Sequence, residues 1–193
     1  MSPGHEQSKH PVSAALAGPY GHPFHPILVT IPIGSWVASL AFDVASQLGF
    51  QPTQARFAAL WLIAIGVLGA LAASSIGVLD LLALPTHTRV RRTAVKHATL
   101  NVAVILAYAA NFTWRYDAGE TNLATGWGPV MLSVLSLVGL TVSGSLGGKL
   151  AYRYGVRVAA ETFQADGFEP GPPYRSRSGG SLDHPRTETI RRS

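Results

Sequence analysis

FAALWLIAIGVLGALAASSIGVLDLLAL, residues 57–84, carries one charge, Asp80, in 28 positions. A helix crosses a hydrocarbon layer of ~30 Å with about 20 apolar residues. This stretch is apolar around its whole circumference, as a membrane span requires, and shows no polar stripe for water. Working outward, the chain holds three more blocks of the same kind. One runs from about residue 26 to 48, broken by Asp43 alone; one from 97 to 114 has no Asp, Glu, Lys or Arg; one from 127 to 150 carries Lys149 in its last turn. The sequence therefore predicts an all-α integral membrane four-helix bundle.

The composition agrees. Only 13% of the 193 residues are charged, and mean hydropathy is +0.23 despite polar ends, against roughly 25% charged residues in a soluble domain. An intrinsically disordered chain is excluded, since such chains lack apolar surface to bury. With no Cys, a disulfide framework, a Cys-ligated zinc or iron–sulfur site and thiol catalysis are all excluded. Seven His against no Cys is the unusual balance.

Orientation is read from Lys and Arg in the short flanks. Lys9, Arg89, Arg91, Arg92, Lys96, Lys149, Arg153 and Arg157 fall on one side, and Arg56 and Arg115 on the other. Eight against two predicts both termini in the cytoplasm, in a cell (inner) membrane. Trp61, Trp114 and Trp127 fall at the expected outer boundary, Tyr152 and Tyr154 at the inner one. No apolar h-region precedes residue 25, so the first span is expected to act as the targeting signal. Three regions follow: a flexible arm over 1–20, a transmembrane domain over 21–155, and a polar tail over 156–193. The tail is rich in Pro, Gly, Ser and Arg and is expected to be disordered. The pI of about 9.9 then reflects the cytoplasmic flanks. No basic motif interleaved with aromatics points to nucleic acid.

Polar groups inside a span are expensive and by default face the bundle interior. Gly21-His22-Pro23-Phe24-His25-Pro26 opens the first span. Each Pro disfavours the α region for the His before it, so an extended run is expected. His22 and His25 then lie ~9 Å apart along a polyproline axis, too far for a simple two-His metal clip. His25, at the mouth of the span, is the better ligand candidate; an interfacial anchor is the plainer reading. In the third span His97, Asn101, Val104, Tyr108 and Asn111 share one helix face. That stripe either binds helices together or faces a ligand. Asp80 follows a small-residue face (Gly66, Gly69, Ala70, Ala73, Gly77) and lies near the depth of His97. It is expected to pair with Arg89, Arg91 or Arg92, or to orient a His ring. Asp43 lies ~27 Å along the helix from His25 and is expected to pair with Arg56. Pro32 predicts a kink in the first span, and the Gly139-Ser143-Gly147 series predicts a packing face. His5, His10 and His184 fall in the solvated ends and His87 in the inner loop.

Gly21-His22-Pro23-Phe24-His25-Pro26-Ile27-Leu28-Val29, continuing to Ile31-Pro32-Ile33-Gly34, resembles the signature of the bacterial membrane family catalogued as domain of unknown function 2231. Gly77-Val78-Leu79-Asp80, the Arg-rich loop and His97 with Asn101 extend the resemblance over about residues 20 to 150. The resemblance implies a four-span integral membrane domain. Some relatives resemble fusions with Rieske or cytochrome-type electron carriers. Without Cys, this chain carries no Rieske cluster or covalent c-type haem of its own.

Two function classes follow. The first is a redox-associated module holding haem b, a quinone headgroup or a metal ion, with His25, His97, Asn101, Asp80 and His22 as the binding candidates. Neutral imidazoles from two helices suit axial ligation of haem iron. The second is a non-catalytic structural or assembly subunit, docked to another membrane or electron-transfer protein. No inverted repeat or pair of broken helices indicates a transporter. No Ser-His-Asp or carboxylate-pair constellation indicates a hydrolase.

Overall fold

The structure, a computed structural model, describes residues 8–9, 24–118, 124–158, 161 and 164. Its long elements are α1 (Phe24–Gln47), α2 (Pro52–Leu82), α3 (Arg89–Asp117) and α4 (Trp127–Arg153). At 24, 31, 29 and 27 residues, each reaches ~36 Å or more, enough to cross a membrane. No strand occurs among the described residues. His22, most of the N-terminal arm and nearly all of the tail lie outside them.

α3 starts at Arg89, one N-cap after Thr88, whose hydroxyl accepts from the Arg91 backbone N–H at 3.2 Å. Arg91 serves the neighbouring helix end as well. Its Nη1 donates to the carbonyls of Leu81 (3.3 Å) and Leu84 (2.9 Å), satisfying C-terminal carbonyls of α2 that lack an intrahelical partner. α1 is interrupted at Val29, between a Phe24–Leu28 segment and a Thr30–Gln47 segment. Pro32 explains the break: it has no N–H to give the Leu28 carbonyl, and its ring crowds that carbonyl. His25 lies in the helical segment rather than in the extended run expected from its Pro neighbour. Pro26 falls in the first helical turn, where no N–H is required of it, and the His25 ring is fastened to α2.

The interior is more polar than the exterior. Leu68, Leu106 and Leu135 at mid-helix are 68%, 63% and 63% exposed, while Ser39, Asp43, Asn111, Ser133 and Ser143 are wholly buried. This suits a bundle in hydrocarbon, where apolar residues gain nothing by facing inward and buried polar groups bind helix to helix. α1 packs on α2, α2 on α3 and α3 on α4, while α1 and α4 touch least.

The second hairpin repeats the first. Trp36 and Asp43 lie 11 and 18 residues after His25; Tyr108 and Arg115 lie 11 and 18 residues after His97. Trp36 Nε1 donates to the Ile63 carbonyl at 3.4 Å, and Tyr108 Oη donates to the Ser133 carbonyl at 3.3 Å. A Cβ at Gly69 would lie 3.2 Å from Pro32, and one at Gly139 would lie 3.2 Å from Val104. Equivalent residues also meet one another. The Trp36 and Tyr108 rings stack at 4.1 Å and 8°, the His25 and His97 rings sit 6.5 Å apart, and Asp43 pairs with Arg115. Contact between like positions is the mark of an approximate twofold axis. Here that axis runs up the bundle between the diagonal helices α1 and α3.

Candidate functional site

At the His end of this column, both imidazoles are held in the same way. His25 Nδ1 lies 2.9 Å from the Ala73 carbonyl, and a Cβ added at Gly77, one turn further along α2, would lie 3.1 Å from its ring. His97 Nδ1 lies 2.9 Å from the Ser143 carbonyl, and a Cβ at Gly147, one turn further along α4, would again lie 3.1 Å away. Each ring therefore rests on a glycine that any larger residue would crowd. A carbonyl oxygen only accepts, so in both rings Nδ1 carries the proton and Nε2 the lone pair of a neutral imidazole. A backbone carbonyl fixing Nδ1–H is the usual way in which Nε2 is readied as a ligand atom.

The two rings differ at Nε2. Asn101 Nδ2 donates to His97 Nε2 at 3.0 Å, and Ser143 Oγ donates to Asn101 Oδ1 at 2.8 Å. The His97 Nδ1–H sits also 3.0 Å from Ser143 Oγ, closing a ring of hydrogen bonds through three side chains. His25 Nε2 has no such partner among the described residues. The position matching Asn101 in the first hairpin is Val29, which cannot supply one.

The His pair stands between two cavities. One, of about 190 Å³, lies between α2 and α3 and is lined by Ser74, Gly77, Asp80, Ala98, Asn101 and Arg157 among others. The other, of about 360 Å³, lies between α1 and α4 and is lined by Val29, Pro32, Trp36, Gly144, Gly148 and Tyr152 among others. His25, His97 and Gly147 line both. The two are counterparts in the repeat: Ser74, Gly77 and Val78 of the first match Gly144, Gly147 and Gly148 of the second. The result is one slot between the hairpins, with an imidazole on each wall.

Asp80 borders this slot, though not with the partner expected of it. Its Oδ1 accepts from Arg157 Nε at 2.9 Å and also from Arg157 Nη2; the loop arginine Arg91 is engaged on the α2 carbonyls instead. Asp43, likewise, takes Arg115 and not Arg56. Arg115 Nη1 and Nη2 reach its two oxygens at 2.6 and 2.8 Å, while Arg56 Nη2 donates to the Arg115 carbonyl at 3.5 Å. The reason is geometric: Arg115 continues the inward stripe of His97 and Tyr108. Asn111, on that stripe, accepts from Arg115 Nε at 2.7 Å and donates to Ser133 Oγ at 2.9 Å.

His25, His97 and Asn101 are thus brought together, with Asp80 at the edge of the same slot; His22 lies outside the described residues. Ser143, Arg157 and Arg115 escaped the sequence reading. Ser143 reads as one small residue in a packing series, and Arg157 as a flanking charge. The signal that could have exposed them is the spacing shared by His25-Trp36-Asp43 and His97-Tyr108-Arg115.

No curated protein and no solved structure matches the chain. A family model described as "Predicted membrane protein (DUF2231)" matches residues 21–160. That region contains the four helices, both histidines and Arg157, and the chain belongs to this family of predicted membrane proteins.

Proposed function

We propose that this membrane protein is a redox-associated module that holds a b-type haem in the slot between its hairpins, with His25 and His97 as axial ligands. The observation that carries this reading is the pair of imidazoles reaching from opposite walls with Nδ1–H tied back to a carbonyl. Two imidazoles on opposite sides of one metal, at about 2 Å each, put their ring centres roughly 6 Å apart. The His25 and His97 centres are 6.5 Å apart, with the ring planes at 81°. The two cavities beside them supply width for a planar group, and together fall in the range of roughly 300–1,000 Å³ common for small-molecule pockets. Bound haem would supply one-electron transfer. The chain's own residues orient the rings, exclude water and leave room: Gly77 and Gly147 keep the walls apart, and Asn101 gives up His97 Nε2 to the metal.

A quinone headgroup is the second reading, favoured by the unequal Nε2 atoms. His97 is saturated by Asn101, whereas His25 Nε2 offers one acceptor to a quinol hydroxyl. If the hydrogen bonds around His97 serve only to join α3 to α4, the chain is instead a structural or assembly subunit of a membrane complex. Expression with ample haem, followed by a visible spectrum and an extraction for quinones, separates the three. A Soret band lost in both His25→Ala and His97→Ala supports haem. Extractable quinone lost only in His25→Ala supports the second reading. Neither, together with a stable partner recovered in mild detergent, supports the third.

The flank charges support a topology with the histidine end at the cytoplasmic face of a cell membrane. Reporter fusions at residue 120 and at the C-terminus test it: opposite compartments are expected for the two.

A further inference from the structure

The two halves of the slot have the same shape and different chemistry. No Asp, Glu, Lys or Arg is among the described residues that line the α1/α4 half. The α2/α3 half is lined by Asp80 and Arg157. The repeat breaks at this point, because Asp80 on α2 corresponds to Leu150 on α4. Arg157 has no counterpart in the first hairpin at all. It is delivered from beyond α4, where the chain leaves the helix through a wide π-turn at Lys149–Arg153 and folds back. Gly155 (φ 68°) and Arg157 (φ 60°) are both left-handed, a conformation that costs a non-glycine residue about 1 kcal/mol or more. The Arg157 backbone N–H is tied to the Ser8 carbonyl at 3.1 Å. Its guanidinium is tied to Asp80, with side chains 13% and 18% exposed. Strained backbone, a backbone tether and an ion pair all place one cation at one side of a slot that is otherwise symmetric.

We infer that Arg157 is a specificity residue for a carboxylate on the ligand. The slot takes an amphipathic plane whose acidic edge lies at Arg157 and whose apolar edge fills the α1/α4 half. This rests on the haem reading and gives the bound group a single orientation in a twofold site. Asp80 is a positioning residue, since it fixes one edge of the guanidinium. A planar fork with five donors matches a carboxylate better than an ammonium does. The apolar half offers nothing to an acid and a good surface to methyl and vinyl groups.

The test is a Soret titration of the full chain in detergent with ferric protoporphyrin IX and with its dimethyl ester. The wild type is expected to bind the diacid about tenfold more tightly than the ester, as a charged hydrogen bond implies. Arg157→Gln should remove that preference by weakening the diacid alone, and Arg157→Lys should keep part of it. An ester affinity unchanged in Arg157→Gln reports an intact slot. Equal binding of diacid and ester by the wild type, or equal weakening of both by Arg157→Gln, overturns the role of Arg157 and leaves the haem reading standing. Binding of neither porphyrin overturns the haem reading and this inference with it.

Discussion

Asp43 and Arg115 are equivalent positions in two repeated hairpins, and they carry opposite charges. Both are almost fully buried, at 0% and 3% exposure, and their side chains meet in a two-pronged ion pair. Hairpins this alike could pair with copies of themselves. In such a pairing Asp43 would face Asp43, or Arg115 would face Arg115, with no compensating charge in a low-dielectric interior. Opposite charges at equivalent positions make α1–α2 select α3–α4.

Removing one partner leaves an unpaired buried charge. Arg115→Leu is expected to destabilise the bundle by about 3–5 kcal/mol, read by denaturant unfolding in detergent. The exchange Asp43→Arg with Arg115→Asp should recover part of that loss. Recovery would be partial because Asn111 and Ser133 are arranged around Arg115 on its own side. A double variant no more stable than either single one would show that the pair does not select the hairpin mating.

The stack of Trp36 on Tyr108 is the middle of the same column. Tyr108→Phe keeps the ring and loses the bond to the Ser133 carbonyl, and should cost about 1 kcal/mol. Trp36→Ala should cost about 3–5 kcal/mol. Gly66→Ala approaches that cost from the other side, since a Cβ there would lie 2.2 Å from Trp36 Nε1. Thermal unfolding followed by Trp fluorescence ranks the three.

Gly77 and Gly147 are predicted to act alike. A Cβ at either lies 3.1 Å from a His ring, so the ring must give way by a few tenths of an ångström. Gly77→Ala and Gly147→Ala should each lower cofactor content with little loss of fold. A difference between them confined to one site would contradict the equivalence of the two walls.

Asn101 is expected to compete with the cofactor for His97 Nε2. Asn101→Ala removes a neutral hydrogen bond of about 1 kcal/mol, and should tighten haem binding by about fivefold. Weaker binding would mean that Asn101 holds the ring in place and does not cap its ligand atom.

Much of this was legible in the residues. The four apolar blocks, the inward stripe from His97 to Asn111 and the break caused by Pro32 follow from helix periodicity and backbone chemistry. The partners across helices were not legible. Asp43 and Asp80 each had a basic residue closer in the chain, and took Arg115 and Arg157 instead, because α1 and α3 meet on the bundle diagonal and the chain folds back after α4. The repeat was hidden for a related reason. Its matching positions hold Trp against Tyr and Asp against Arg, pairs that complement one another in space and look unrelated in a sequence.

The visible spectrum of the purified chain, expressed with ample haem and compared with His25→Ala and His97→Ala, tests the central claim most directly. The account predicts a Soret band with the sharp α band of six-coordinate low-spin haem, reduced or lost in each variant. A wild-type preparation with no Soret band, or a band unchanged in both variants, would contradict it.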